Sequence, residues 1–189
     1  MARSIAFDEV ATLEKAKNVF WQKGYHATSM QDLLKATGLN PGSLYNTYGG
    51  KHELFLACLR AYLAPIGRYA TAPDESALAL LERFLTDTIL SLCTNDDACL
   101  AVRSCFELAP ADQEVRQLLR QGSDKLTQII TLMLTNAQQA GEISPDKDAT
   151  LLAPLLVSAV PGLGYQFVLY RDAVQTRQLV QQLLALVKG

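Results

Sequence analysis

The sequence predicts an all-α protein, with a small N-terminal domain of three helices that contains a helix-turn-helix and a larger helical bundle after it. Apolar residues recur at spacings of three and four along almost the whole of the 189 residues, as they do in amphipathic helices. The alternation typical of strands never persists. Between residues 28 and 51, cap and turn residues delimit two short helices.

The caps of these two helices are well defined. Ser29 followed three residues later by Asp32 is typical of a capping box at a helix start. Gly38 ends that helix, because glycine adopts left-handed cap angles at no steric cost. Asn40 is a favoured N-cap for the next helix, and Pro41 suits its first position because proline has no N–H to leave unbonded. Two helices joined by a short turn with a glycine match a helix-turn-helix.

The second short helix, about Pro41 to Tyr48, has two different sides when it is laid out at 100° per residue. The larger and mainly apolar residues share one side: Pro41, Leu44, Tyr45 and Tyr48. The small and hydrogen-bonding residues share the other: Gly42, Ser43, Asn46 and Thr47. Such a polar side suits the DNA major groove, because it allows close backbone approach and offers partners for base edges. The alternative is an ordinary polar surface helix.

The segment GYHATSMQDLLKATGLNPGSLYNTYGGKHELF resembles the DNA-binding domain of the tetracycline-repressor (TetR) family, and the resemblance covers roughly Thr12 to Leu59. Its most specific parts are Gly24-Tyr25, Thr28-Ser29, Asp32-Leu33, Gly38-Leu39, Gly42-Ser43-Leu44-Tyr45, Tyr48 and Lys51. Where many members carry Ser, Asp or Asn before the lysine, this chain has Gly49-Gly50. The resemblance implies an N-terminal DNA-binding domain and a helical-bundle domain that binds an effector and dimerises.

The resemblance also implies which residues contact DNA: Thr28, Gly42, Ser43, Tyr45, Asn46, Thr47, Tyr48 and Lys51. Thr28, Tyr45 and Lys51 are expected to hold phosphates. The expected readers of base edges are Gly42, Ser43, Asn46 and Thr47. Tyr48 is assigned mostly to the core, since its helical angle places it beside Leu44.

The other helices are predicted from periodicity and stop signals. A first helix runs from about Phe7 to Gly24, and a fourth from near Lys51 to a break at Pro65. The DNA-binding domain is placed at residues 1–50 and the effector-binding and dimerisation domain at residues 51–189, with the clearest linker signal at residues 71–75. The remaining predicted elements are helices at Ala77–Leu92, Ala98–Leu108 and Asp112–Ala140, a turn at residues 94–97, a kinked or broken helix at Leu151–Leu169 with Pro154 and Pro161 inside it, and a final helix after Asp172.

The last two helices carry more apolar residues than one core absorbs, which favours a four-helix bundle with a twofold-related copy. Periodicity alone leaves open the alternative that both helices are simply core. Resemblance to the TetR family, whose members dimerise through their last two helices, favours the interface. Its expected residues are Leu163, Phe167, Leu179, Leu183 and Leu186.

Charge and hydropathy limit the compartment and the partners. The formal charge of −2 shows no general excess of basic residues, so a DNA-binding surface has to be local. Nothing approaches the roughly eighteen uninterrupted apolar residues of a membrane span, and the N-terminus lacks an apolar signal core. These features predict a cytoplasmic protein without a membrane partner, in which the cysteines are reduced.

Residues for catalysis or metal binding do not cluster. His26 and His52 lack cysteines or carboxylates at metal-ligand spacing, and His26 is expected at the surface. No glycine-rich phosphate loop follows a strand, and no nucleophile elbow is present. The sequence therefore predicts neither an enzyme nor a protein with a metal or other cofactor.

The expected function is that of a one-component transcription regulator, usually a repressor, which binds a near-palindromic operator as a homodimer and is released by a small-molecule effector. The residues expected at an effector or redox site are Tyr62, Phe84, Cys99, Arg103, Phe106 and Tyr165. The alternative is a thiol sensor that works through Cys99 or a neighbouring cysteine, with Arg103 one turn away lowering the pKa of the Cys99 thiol. Cys93 and Cys99 flank the predicted turn, which would allow their thiols to come close to each other. A third hypothesis is that the chain is a helical scaffold that binds only protein.

Overall fold

The computed structural model describes residues 8–69, 75–94 and 99–188. Within these residues the secondary structure is nine α-helices and one 3₁₀ helix, without a strand. The helices are α1 (Glu9–Lys23), α2 (Met30–Thr37), α3 (Pro41–Tyr48), α4 (Lys51–Leu63), the 3₁₀ helix Ala64–Tyr69, α5 (Ala77–Thr94), α6 (Leu100–Glu107), α7 (Gln113–Gln139), α8 (Ala149–Tyr170) and α9 (Ala173–Lys188). The all-α prediction is confirmed. The predicted linker and the turn after α5 lie mostly outside the described residues.

Two compact units make up the described chain. The first comprises the described parts of Met1–Pro65 and Leu100–Leu119, and the second those of Ile66–Cys99 and Arg120–Gly189. Thus α4, α6 and the beginning of α7 belong to the unit of the N-terminal helices. The predicted domain boundary at residue 50 does not coincide with the boundaries of these packing units. It stays a prediction about which part of the chain binds DNA and which part binds an effector.

The first unit is built around a core in which Phe20, Leu33, Leu44, Leu54 and Phe55 are all buried. Helix α1 packs against α2 and α4, and α3 packs against α4. Each buried side chain comes from a different helix, except that α4 supplies two. The short helices α2 and α3 are therefore held by tertiary packing, which isolated helices of eight residues need.

The second unit has its own apolar core, to which α5, α7, α8 and α9 contribute. Helix α8 is continuous through Pro154 and Pro161, so the expected alternative of a broken helix is wrong. Ala153, Leu156 and Val160 on one side of α8 are buried in this core. Packing along that side stabilises the helix where each proline removes a backbone hydrogen bond.

Candidate nucleic-acid interface

The start of α2 is fixed by a reciprocal capping box. The Ser29 hydroxyl accepts a hydrogen bond from the Asp32 N–H (3.1 Å), and the Asp32 carboxylate accepts one from the Ser29 N–H (2.9 Å). Hydrogen bonds from the Lys23 ammonium and then from Ser29 hold the pKa of Asp32 well below its usual range. Gly38 caps the other end with φ +75°, as the sequence predicts. The orientation of α2 is thus determined by local polar contacts at both ends.

Helix α3 has the predicted bounds and caps. The Asn40 side chain accepts a hydrogen bond from the Ser43 N–H (2.8 Å), and Pro41 is the first helical residue. Gly49, at φ +87°, donates its N–H to the Tyr45 carbonyl (2.9 Å). Within α3, all of which is described, only Leu44 is fully buried. A single anchor leaves most of the helix surface available to a partner.

Four of the eight residues expected to contact DNA are exposed on α3. Gly42, Asn46 and Thr47 are exposed. Ser43 is half-buried and its N–H is used by the Asn40 cap. Tyr45 is 53% exposed, so it lies at the solvent-facing edge of the helix side that it shares with Leu44 and Tyr48. It follows Leu44 directly, and one residue turns the helix by 100°, away from the only buried anchor. Pro41 is exposed as well.

The structure corrects one expected DNA contact and supports another assignment. Thr28 is 1% exposed, and its hydroxyl donates to the Gly24 carbonyl (2.6 Å). Its side chain closes the turn between α1 and α2, so the expected phosphate contact of the Thr28 hydroxyl is wrong. Tyr48 is half-buried and packs against the core of the first unit, which agrees with its assignment mainly to the core.

Lys51 lies in the first turn of α4 and contacts the face of an aromatic ring. The sequence did not predict this contact. Its Nζ is 4.4 Å from the centroid of the Tyr25 ring, a cation–π contact. Burial, followed by the charges of Asp112 and Glu53, raises the pKa of the Tyr25 hydroxyl. The α4 N-terminus begins after Gly50 and, in the part of the chain that the structure describes, has no side-chain cap. Lys51 is thus the first residue of a helix whose N-terminal N–H groups favour anions, and the Glu53 carboxylate lies at the same helix end, 3.2 Å from where a Cβ of Gly50 would be.

The expected effector residues do not assemble into one site within either unit. Phe84 belongs to the core of the second unit, and Tyr165 of the same unit is 63% exposed. In the first unit, Phe106 is 82% exposed and Tyr62 packs edge-on against Trp21 at 5.4 Å between ring centroids. Helical periodicity identified these aromatic residues but did not determine which direction each one faces.

Arg103 binds backbone groups at the end of α1, and its expected effect on the Cys99 thiol stays a prediction. Its Nη1 donates to the backbone carbonyls of Trp21 and Gln22. Cys99 is half-buried and packs against the core of the second unit. Burial raises the pKa of Cys58 to about 12, which makes that thiol unreactive at neutral pH. Thiol sensing through Cys99 stays a prediction, and the side chain of Cys93 lies outside the described residues.

The expected dimer residues differ in exposure. Phe167 is 8% exposed and so offers little surface to a second copy, and its place in an interface stays a prediction. Leu163 and Leu183 are half-buried against the core of the second unit, Leu179 is half-buried, and Leu186 is 73% exposed. The exposed large apolar residues of α8 are instead Leu151, Leu155, Tyr165, Leu169 and Tyr170. The use of α8 and α9 in an interface stays a prediction, and helical periodicity did not determine which of their apolar residues face outward.

Comparison with known proteins gives matches along most of the chain. Residues 13–58 match the model of bacterial regulatory proteins of the tetR family, and residues 78–183 match that of the tetracyclin repressor-like C-terminal domain. The HTH-type transcriptional repressor ComR of Escherichia coli (strain K12) is 31% identical over 95% of this chain and 87% of its own length. The HTH-type transcriptional regulator YezE of Bacillus subtilis (strain 168), described as uncharacterized, is 33% identical over 82% of this chain and 84% of its own.

A similar solved structure contains DNA. A cysteine mutant of the TetR family transcriptional regulator CifR, complexed with 26-base-pair double-strand operator DNA, superimposes with a TM-score of 0.83. The two sequences are 26% identical, and the match covers 97% of this chain and 98% of the other. Both halves of the sequence and the whole fold thus lead to one conclusion: the chain belongs to the TetR family of bacterial transcriptional regulators.

Proposed function

We propose that this regulator is a homodimeric repressor that binds a near-palindromic DNA operator with α3 in the major groove of each half-site. The observation that carries the proposal is the surface of α3, which exposes Gly42, Asn46 and Thr47 around a single buried anchor, Leu44. The related CifR structure, which contains operator DNA, supports the same use of this fold. A regulator of this kind acts on DNA rather than as an enzyme, and its place is the cytoplasm.

Base reading is assigned to the exposed polar residues of α3. The Asn46 amide has the donor and acceptor needed for a bidentate contact with an adenine edge, and the Thr47 methyl suits a thymine methyl. Gly42 lacks a side chain and allows the helix N-terminus to approach the groove closely. Ser43 is half-buried, so its hydroxyl is the second candidate for a base contact.

Phosphate binding is assigned to Lys51, Tyr45 and the start of α4. The Tyr45 ring lies next to Gly50, where a Cβ would be 3.7 Å from Tyr45 Cε1. The exposed Tyr45 ring thus lies beside the residue that precedes α4, the helix that Lys51 begins. Contacts of this kind set the register of a protein on DNA without reading its sequence.

Lys51→Ala is expected to weaken binding to all DNA sequences, because it removes one phosphate contact from each subunit. The slope of log K against log salt should fall in magnitude by about 0.9 for each subunit bound. Fluorescence anisotropy with increasing salt measures this slope. Lys15→Ala, which removes an exposed lysine of α1, is the charge-matched control. A slope equal to that of the control removes Lys51 from the phosphate contacts.

Dimerisation is assigned to an exposed stripe of α8. Its exposed residues recur at alternating spacings of four and three: Leu151, Leu155, Ser158, Gly162, Tyr165 and Leu169. This spacing puts them on one face and is typical of a seam between packed helices. The small residues in the middle permit close approach. Leu186 adds exposed apolar surface on α9.

A membrane span is the other use for a helix such as α8, which is long and apolar enough to cross a bilayer. The face opposite the stripe is already buried, with Ala153, Leu156 and Val160 in the core of the second unit. Packing on one face within the subunit and on the other against a second copy accounts for the apolar composition of both faces. We therefore assign α8 to a dimer interface.

Regulation is assigned to a small apolar or aromatic molecule that releases the protein from DNA. The match of residues 78–183 to the C-terminal domain of tetracyclin repressor-like proteins supports this assignment. Such a molecule shifts the equilibrium only if it binds the DNA-incompetent arrangement more tightly. Adding apolar and aromatic compounds to the preformed complex, with release followed by anisotropy, tests it. Compounds that bind the protein equally well with and without DNA contradict this role.

A further inference from the structure

The carbonyl groups at the end of α1 are bound by a side chain from α6, in the same unit. Arg103 Nη1 donates to the Trp21 carbonyl at 2.8 Å and to the Gln22 carbonyl at 3.2 Å. These carbonyls belong to the last turn of α1, where no further helical N–H groups follow. The positive guanidinium also lies at the negative end of the α1 dipole. Arg103 therefore acts as a cap for a helix that lies some 80 residues earlier in the chain.

The turn that follows α1 is bound by a second side chain of α6, one helical turn further on. The Glu107 carboxylate accepts from the Tyr25 N–H at 3.2 Å and from the His26 N–H at 2.7 Å. Arg103 and Glu107 also face each other, with 3.9 Å between Nε and Oε2. Together they form what we call the α6 bracket, two charged side chains that bind two carbonyls and two N–H groups on either side of Gly24.

The close fit of the bracket explains the glycine at its centre. A Cβ at Gly24 would lie 2.9 Å from Arg103 Nη2 and 2.9 Å from Glu107 Oε2. Its φ of +82° is also unfavourable for other residues. Gly24 is buried, and its carbonyl accepts the Thr28 hydroxyl. The backbone between α1 and α2 thus has one well-determined position while the bracket is in place.

A single residue, Tyr25, connects the α6 bracket with Lys51, the proposed phosphate contact. Glu107 holds the backbone N–H of Tyr25, and the Tyr25 ring lies beneath the Lys51 ammonium. The same ring packs against Phe20 and Phe55 in the core. A shift of the Tyr25 backbone therefore moves the surface on which Lys51 rests.

We propose that Arg103 and Glu107 are positioning residues for DNA binding, which fix the turn at Gly24 and, through Tyr25, hold Lys51 where it meets a phosphate. This proposal rests on the DNA-binding function proposed above. It assigns a role to α6 that needs no contact between α6 and DNA.

The variant Glu107→Gln distinguishes a positioning role of Glu107 from a simple effect of its charge on DNA affinity. Loss of a carboxylate makes the protein less negative, so long-range attraction to DNA alone predicts tighter binding by Glu107→Gln. Positioning predicts weaker binding, because a glutamine amide offers one acceptor oxygen in place of two for the N–H groups of Tyr25 and His26. We expect a loss of roughly fivefold or more in operator affinity, within the range seen for residues that act through others.

The experiment uses the full chain and operator DNA that has been selected with the parent protein. Fluorescence anisotropy at a fixed salt concentration measures the operator affinity of each variant. Glu114→Gln is the matched control, because it removes an exposed carboxylate of the same unit that is outside the bracket. Each variant is also made with Lys51→Ala. If the bracket acts through Lys51, Glu107→Gln should cost less than about twofold once Lys51 is absent, the behaviour of coupled residues.

Two results would overturn the proposal. In one, Glu107→Gln binds as tightly as Glu114→Gln or more tightly. In the other, Glu107→Gln costs the same factor with and without Lys51, which means a general structural effect. If circular dichroism shows that Glu107→Gln is unfolded, Arg103→Lys takes its place in the same cycle, since a lysine keeps the charge but lacks the planar fork. If the parent chain itself selects no DNA, the proposed function has failed rather than the bracket.

Discussion

Leu155→Glu is expected to turn the dimer into a monomer and to weaken operator binding by roughly 100-fold or more, because a dimer gains its second half-site at high effective concentration. Leu155 is 59% exposed within the subunit and is the second residue of the α8 stripe. A glutamate there is hydrated in the monomer, so each subunit should stay folded. In the interface the same carboxylate is buried without a partner, which is strongly unfavourable.

Light scattering gives the mass of the variant, and thermal unfolding confirms that it is folded. Leu132→Glu is the matched control, because Leu132 is a 52% exposed leucine of α7 outside the stripe. It should remain dimeric and bind DNA as the parent chain does. A dimeric Leu155→Glu chain of unchanged stability would remove the stripe from the interface. Leu183 is also expected in the interface, but a charge there is a less direct test because Leu183 packs against the core of its own subunit as well.

Asn46→Ala is expected to cost about 1–3 kcal/mol for each half-site of the preferred operator, the usual value of a bidentate contact between a side chain and a base. Its cost on random DNA should be far smaller, because phosphate contacts dominate there. The alanine should not disturb the fold, since Asn46 is exposed on α3 and the buried anchor of that helix is Leu44.

Side-by-side titrations on the operator and on random DNA measure the difference between the two costs. Asn18→Ala, which changes an exposed asparagine of α1, is the control and should leave both affinities unchanged. Ser43→Ala tests the second candidate for base reading. Equal losses for Asn46→Ala on both DNAs would make Asn46 a backbone anchor and would transfer the reading role to Ser43.

Local signals were enough to predict the helix-turn-helix from the sequence. The capping box of Ser29 and Asp32, the Asn40 cap and the glycine at position 38 all act within three or four residues. Their effect on the backbone does not depend on distant parts of the chain, so α2 and α3 have the expected bounds. The polar surface of Gly42, Asn46 and Thr47 follows from the same helical geometry.

Contacts between distant segments could not be predicted in this way. Arg103 is 82 positions from Trp21, and nothing in the spacing of either residue indicates their hydrogen bond. The family resemblance implies a phosphate contact for Thr28, whereas the Gly24 carbonyl satisfies its hydroxyl in the interior. Phe167 shows the same limit, because an apolar residue suits a core and a dimer contact equally well, and its low exposure of 8% does not follow from the sequence.

Selection of bound sequences from random double-stranded DNA by the full chain tests the proposed function most directly. A homodimer that reads with α3 should enrich a near-palindromic sequence, with half-sites about one helical turn apart or somewhat more. Repeating the selection with Asn46→Ala should relax the preference at one symmetric pair of positions. Enrichment of no sequence, or of one asymmetric site, would contradict twofold binding through the exposed surface of α3.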